Sequence, residues 1–134
     1  MATVRTVIAG KTWTLRFVRS ITYGGFKCYG LCVHESRELQ IESSLSGLLL
    51  IDTVVHESLH AHDWKVHEET IELAARHIAL ELLIGGKLPS VRKARQLIRD
   101  TLAMRVFGLN EDFAKAASAD IQRVLYHPEV RGRI

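Results

Sequence analysis

Several short stretches of the first 42 residues alternate between apolar and polar side chains, which is the pattern of β-strands with one buried face. The clearest example is residues 12–18, in which one face carries Trp13, Leu15 and Phe17. The same pattern predicts four strands, over residues 4–9, 12–18, 26–33 and 37–42. Gly10-Lys11 indicates a two-residue hairpin of type II′ between the first two strands, because that turn needs glycine first.

From residue 46 onward the apolar residues recur every three or four positions, which predicts helices. The first predicted helix covers about residues 46–62, with Ser44 or Ser46 as its N-cap. The second covers about residues 67–84 and ends at Gly85-Gly86. Strands followed by helices predict an α+β fold, in which a small antiparallel sheet of about four strands precedes the helices.

Two further helices are predicted in residues 86–134, as a C-terminal extension of a core formed by residues 1–85. The third helix would start at Pro89-Ser90, carry Val106 on its apolar face and end at Gly108, and the fourth would run from an N-cap at Asn110 to Pro128. Residues 129–134 would then form a tail. A chain of 134 residues has the length of a single domain.

The first predicted helix contains the sequence His56-Glu57-Ser58-Leu59-His60. Residues four apart lie on the same face of a helix, so His56 and His60 can point two imidazoles at one metal ion. Glu57 lies one position round the helix and can act as a general base towards water. Imidazole also suits copper, nickel and iron, but two such histidines around a glutamate on a helix favour zinc. The alternative is a pair of histidines that binds no metal.

A catalytic zinc site needs a third protein ligand and leaves its fourth position to water. The acidic start of the second predicted helix supplies candidates, although the helix dipole alone favours acidic residues there. We rank Glu69 first, Glu68 close behind and Glu72 third, the last as an acceptor for an imidazole N–H. Further candidates are His67, His62 and His34. The metzincin pattern is disfavoured, because Asp63 and Val66 stand where it needs glycine and histidine.

Composition limits the setting of the protein. The chain has no run of eighteen apolar residues and no apolar signal segment at its start, so we expect a cytoplasmic protein without a membrane span. Cys28 and Cys32 would lie roughly 13 Å apart on one strand, which is too far for a disulfide. We expect both cysteines to be buried small hydrophobes in a reducing compartment rather than metal ligands.

Charge is distributed unevenly along the chain. Residues 1–85 contain 8 basic and 10 acidic side chains, whereas residues 86–134 contain 10 basic and 5 acidic ones. A basic segment of this kind can bind nucleic acid or an acidic partner. Its charges are spread around helices without interleaved aromatic residues, so a solvated surface is favoured over a nucleic-acid site.

These features resemble a family of small zincin-like proteins from phages and prophages, which are gluzincin-type metallopeptidases with the HExxH motif. The matching segments, within residues 11–83, are Trp13–Val18, Arg37–Ile41, His56–Ala61, Glu68–Ile71 and Ala75–Ala79. Lys65-Val66-His67 departs from the family, which often has an acidic step before the Glu-Glu turn. The resemblance implies a sheet, an active-site helix and a helix that brings the third zinc ligand. It also implies the host cytoplasm, if the protein is phage-encoded.

Three functions are therefore expected, in decreasing order of support. The first is a zinc-dependent metallopeptidase that hydrolyses peptide or protein substrates through a zinc-bound water activated by Glu57. His62, His67 and Arg76 are candidates for stabilising the oxyanion. The second is a non-catalytic zinc-binding protein of phage assembly or regulation, which the small size of the chain suggests. The third is a nucleic-acid-associated protein that docks through residues 86–134.

Overall fold

The computed structural model of the protein describes residues 2–134. Strands β1 (Thr3–Ile8) and β2 (Lys11–Val18) form the predicted hairpin. Its turn lies one residue earlier than predicted, because Ile8 pairs with Lys11 and leaves Ala9 and Gly10 as the central residues. Both have positive φ, 51° and 77°, which defines a type I′ turn rather than type II′.

The predicted strand over residues 26–33 is two strands in the structure. β3 (Ile21–Tyr23) and β4 (Phe26–Cys28) form a separate antiparallel hairpin around Gly24-Gly25. β5 (Gly30–Val33) belongs to the main sheet, where it pairs with β6 (Glu38–Glu42). Tyr29 separates β4 from β5, so one apolar run serves two sheets.

The main sheet has four strands in the order β1-β2-β6-β5. Two of its pairs are antiparallel, while β2 and β6 pair in parallel. Parallel neighbours need a long crossover connection, and here the crossover contains the β3–β4 hairpin and β5. The predicted α+β fold with a small, mainly antiparallel sheet of about four strands is confirmed.

The helices follow the sheet in the predicted order. They are α1 (Gly47–His62), α2 (Glu68–Leu82), α3 (Val91–Leu102), α4 (Glu111–Leu125) and α5 (Pro128–Arg131). Asn110 caps α4 as predicted, since its Oδ1 accepts from the Phe113 N–H, and Ser90 Oγ likewise accepts from the Lys93 N–H at the start of α3. Ser46 is the N-cap residue of α1 but makes no capping hydrogen bond through its side chain. Among residues 2–134, no helix combines the length and apolarity needed to cross a membrane.

Two predictions about the C-terminal third are wrong. The third helix ends at Leu102 instead of reaching Gly108, and a short 3₁₀ helix over Arg105–Phe107 follows it. Val106 is consequently exposed rather than part of an apolar face. The expected tail contains α5, whose Val130 is fully buried. Pro128 occupies the first turn of this helix, where its missing N–H is tolerated.

Helix α1 is central to the molecule. It packs against β5 and β6 of the sheet, and against α2 and α4 on its other sides. Accordingly it is buried around most of its circumference, by residues that include Leu50, Ile51, Val54, Val55 and Leu59. Each such side chain contributes about 1.5–3 kcal/mol when fully buried. One face of α1, bearing Asp52, His56 and His60, borders a cleft between β5 and α2.

Candidate metal centre

Three side chains converge at the centre of this cleft. His56 Nε2 lies 2.9 Å from Glu68 Oε1, and His60 Nε2 lies 2.7 Å from Glu68 Oε2. The two Nε2 atoms are 3.2 Å apart. All three residues offer donor atoms within 4.8 Å of one another, which is the arrangement of a two-imidazole, one-carboxylate metal site.

The two histidines converge because α1 is regular at this point. They are one helical turn apart on the face that borders the cleft, and their rings have centroids 4.9 Å apart. Burial lowers the pKa of His60, because the attraction of Glu68 for the charged ring is weaker than the desolvation penalty. The positive forms of His56 and His34 would repel it further. A neutral imidazole is the form that binds a metal ion.

Glu68, the second-ranked candidate, is the carboxylate beside the imidazoles, and Glu69 is not. Asp63 makes two hydrogen bonds in the turn after α1: its Oδ1 accepts from the Lys65 N–H and its backbone carbonyl accepts from the Val66 N–H. Helix α2 begins at Glu68. Glu68 continues the stripe that Ile71 and the later buried residues of α2 form, whereas Glu69 is turned about 100° away from it.

The donor geometry fits a small divalent cation. Ligands about 2.0–2.1 Å from a tetrahedral zinc ion lie roughly 3.3 Å from one another. The two Nε2 atoms lie 3.2 Å apart, close to this value, whereas the two oxygens of Glu68 each contact one histidine at the shorter distances of 2.9 Å (Oε1 to His56) and 2.7 Å (Oε2 to His60). Because the Glu68 side chain is 55% exposed, it can retreat by the few tenths of an ångström that an ion would require.

Glu57 lines the same cleft and is buried. Burial raises the pKa of Glu57 to about 8, and the negative charge of Glu68 contributes to the shift. Its side chain packs under β5 at Gly30, where a Cβ atom would lie 2.8 Å from Glu57 Cγ and 2.7 Å from Thr53 Cγ2. Only glycine allows the strand to approach the helix so closely, and the strand in turn confines the glutamate.

The other histidines considered as ligands have different roles in the structure. His34 Nε2 lies 2.8 Å from the backbone carbonyl of His60, and its ring meets Trp13 edge to face. The His62 ring packs against Phe113, with Nε2 3.4 Å from Asp120 Oδ2. His67 is the N-cap residue of α2. The donor cluster in residues 2–134 contains none of the three.

The two cysteines form no disulfide, as predicted, although they lie on two strands rather than one. Both are free thiols; Cys32 lines the cleft, whereas Cys28 lies outside it in the base of the β3–β4 hairpin. Both are only partly buried rather than fully so. Burial raises the pKa of Cys32 to about 12, with a further contribution from Glu57. Cys32 does not belong to the donor cluster formed by His56, His60 and Glu68.

The cleft has a volume of about 720 Å³ and extends beyond the donor cluster. At its far end α1 contributes Asp52 while α2 contributes Glu72 and Arg76. Burial raises the pKa of Asp52, although the positive charge of Arg76 opposes the shift. Among the described residues, Arg76 is the only arginine or lysine that lines the cleft. Sequence reasoning considered Arg76 and Glu72 but missed Asp52, which lies one helical turn before His56.

Comparison of the chain with protein-family models, with curated proteins and with solved structures found no match in any of the three. The resemblance to gluzincin-type proteins of phages therefore remains a prediction. A function for the protein has to be argued from the cleft itself, and from the three donors and buried glutamate within it.

Proposed function

We propose that the protein is a zinc-dependent peptidase. The observation that carries the proposal is the convergence of His56, His60 and Glu68 in an open cleft that is also lined by the buried Glu57. Three donors leave a fourth position for water or substrate, which is typical of catalytic zinc sites, whereas structural sites usually have four protein ligands. This count favours an enzyme over a non-catalytic zinc-binding protein.

Four residues of the cleft have a defined part in the proposed reaction. His56, His60 and Glu68 would hold zinc, which supplies Lewis acidity towards water and towards the carbonyl of the bond to be cleaved. The positive charge of bound zinc would favour the ionised form of Glu57 despite its burial, and this carboxylate would accept a proton from the attacking water and deliver it to the leaving amine. Its confinement between Gly30 and α1 keeps the carboxylate in one position, as a general base requires.

Strand β5 supports a peptide as the substrate. It is an edge strand of the main sheet, and its residues Gly30, Leu31 and Cys32 line the cleft. An extended peptide can add to such an edge through main-chain hydrogen bonds, which recognise the backbone rather than particular side chains. A strand added there would run past the donor cluster. The free thiols are compatible with a reducing, cytoplasmic setting.

Metal analysis and hydrolysis assays with single variants test the proposal. We expect one zinc ion per purified chain, none in His60→Ala or Glu68→Gln, and an unchanged content in Glu69→Gln. His77→Ala is the matched control for histidine removal, because His77 lies outside the cleft and pairs weakly with Glu81. Glu57→Gln should retain zinc but lose at least about 100-fold in peptide hydrolysis. Equal hydrolysis by Glu57→Gln and the parent protein would refute the mechanism.

A further inference from the structure

Three aromatic side chains line the cleft while remaining largely exposed to solvent. Tyr23 is 68% exposed, Tyr29 58% and Trp64 67%. The core already contains Trp13 and Phe17, so exposure is not general for the aromatic residues of this chain. Burying an aromatic side chain stabilises a protein by about 1.5–3 kcal/mol. A group of them left exposed around one cleft is therefore informative about what the cleft binds.

These three residues, the aromatic rim, come from separate parts of the fold. Tyr23 is the last residue of β3, next to the Gly24-Gly25 turn, and Tyr29 immediately precedes β5. Trp64 lies in the turn between α1 and α2, four residues after His60 and four before Glu68. The rim therefore has two aromatic side chains on the side of the cleft where β5 starts and one beside the donor cluster.

We propose that the aromatic rim binds large apolar or aromatic side chains of an extended peptide, and so gives the peptidase its substrate class. The inference rests on the proposed function. Alternate residues of a strand are about 6.6–6.8 Å apart and point the same way. A peptide added to β5 can thus present several side chains to the cleft walls, where aromatic rings pair at centroid distances of about 4.5–7 Å.

The alternative explanation is that the hairpin is simply rich in exposed aromatic residues. Phe26 separates the two explanations, because it lies on the same hairpin and is 77% exposed but does not line the cleft. It pairs with Tyr23 across the Gly24-Gly25 turn. A general effect of hairpin apolarity should involve Phe26 and Tyr23 equally, whereas binding in the cleft should involve Tyr23, Tyr29 and Trp64 alone.

Binding is measured with the zinc-loaded Glu57→Gln variant and two octapeptides, which carry either phenylalanine or serine on both sides of the central bond. Acrylamide quenching of tryptophan fluorescence reports the site, because Trp64 is 67% exposed and Trp13 only 3%. We expect the phenylalanine peptide to bind about tenfold more tightly than the serine peptide and to protect Trp64 from quenching. Added to the Glu57→Gln variant, Tyr29→Ala should remove most of this preference, Tyr29→Phe should retain it, and Phe26→Ala should leave it unchanged.

Equal affinity for the two peptides would overturn the inference, as would an equal loss in Phe26→Ala and Tyr29→Ala. Hydrolysis of the same peptides by the parent protein separates this inference from the proposed function. A phenylalanine preference in binding without hydrolysis by the parent supports the rim but refutes the peptidase. Hydrolysis of both peptides at equal rates, with equal affinities, supports the peptidase but refutes the rim.

Discussion

The two edge strands of the main sheet, β1 and β5, differ in what lies beside them. β1 is covered by α4: Arg123 donates to the Val7 carbonyl at 3.1 Å, and the Ala9 N–H, in the turn that follows, donates to Asp120 at 3.0 Å. β5, at the opposite end of the sheet, lines the cleft that holds the donor cluster. An uncovered edge strand invites pairing with other chains.

Under the proposed function, the open edge at β5 is where substrate binds. The C-terminal helices supply the cover for β1, although they come after the candidate metal site in the chain. At β5, Gly30 brings the strand against Glu57, so the edge and the candidate general base form one unit. Variants that disturb the β5 edge should therefore reduce hydrolysis, whereas variants that disturb the cover over β1 should mainly reduce stability.

Gly30→Ala should have the largest effect. The added Cβ would meet Thr53 Cγ2 at 2.7 Å, Glu57 Cγ at 2.8 Å and Glu57 Oε2 at 3.0 Å, and both neighbours are buried. We expect a loss of about 1–3 kcal/mol in the free energy of unfolding and of about 100-fold in peptide hydrolysis, since displacement by about 1 Å can have that effect. Urea unfolding and steady-state kinetics measure the two quantities.

Two variants control for this prediction. Gly85→Ala should leave both quantities nearly unchanged, because a Cβ atom there meets nothing within 4 Å. Thr53→Ser removes the Cγ2 atom but keeps the hydroxyl that donates to the Leu49 carbonyl. The double variant Gly30→Ala/Thr53→Ser should therefore regain part of the stability but little of the activity. Full activity in Gly30→Ala would mean that Glu57 does not depend on β5 for its position.

Asp120→Asn should mainly affect the covered edge. Burial alone would raise the pKa of Asp120, but His62, the Ala9 N–H and Arg123 together lower it from its ordinary value of 3.8. The charged form therefore stabilises the folded protein above about pH 4, and this contribution is lost as the pH falls through the lowered pKa. We expect Asp120→Asn to be less stable by about 1–3 kcal/mol at pH 7.

The pH dependence distinguishes this charge from a neutral packing effect. The difference in unfolding free energy between the parent and Asp120→Asn should shrink as the pH is lowered below about 4, because the parent then loses the same charge. Asp100→Asn is the control, since Asp100 contacts Gln96 within α3 and not the β1–β2 hairpin. A difference that stays constant between pH 7 and pH 3 would contradict the electrostatic explanation.

Local features of the sequence predicted most of the fold and the centre of the site. The spacing of His56 and His60 and the apolar residues around them determine α1, because helical geometry depends only on near neighbours. The third ligand is less well predicted. The apolar stripe of α2 already favours Glu68, which lies on it, over Glu69 on its flank, and the structure places Glu68 beside the imidazoles although Glu69 ranked first.

Features that depend on distant contacts could not be predicted. The apolar run over residues 26–33 is the same whether it forms one strand or two, and only the pairing partners show that Tyr29 divides β4 from β5. The parallel pairing of β2 with β6 likewise cannot be recognised from the sequence pattern of either strand. Asp120 contacts Ala9 across 111 positions of the chain, and no periodicity in α4 distinguishes it from a solvated acidic residue.

Arg123→Ala should have the smallest effect on stability. It tests how much this side chain contributes to covering the edge of β1. Its guanidinium donates to the Val7 carbonyl and to Asp120, each at 3.1 Å, but half of the side chain is exposed. Exposed charge pairs contribute about 0.2–1 kcal/mol, so we expect a loss of unfolding free energy within that range. Light scattering at high protein concentration should show slightly more association, because one carbonyl of the edge becomes available. Arg123→Lys retains a donor and should associate less than Arg123→Ala; if all three proteins associate equally, the cover over β1 depends on the packing of α4 rather than on this hydrogen bond.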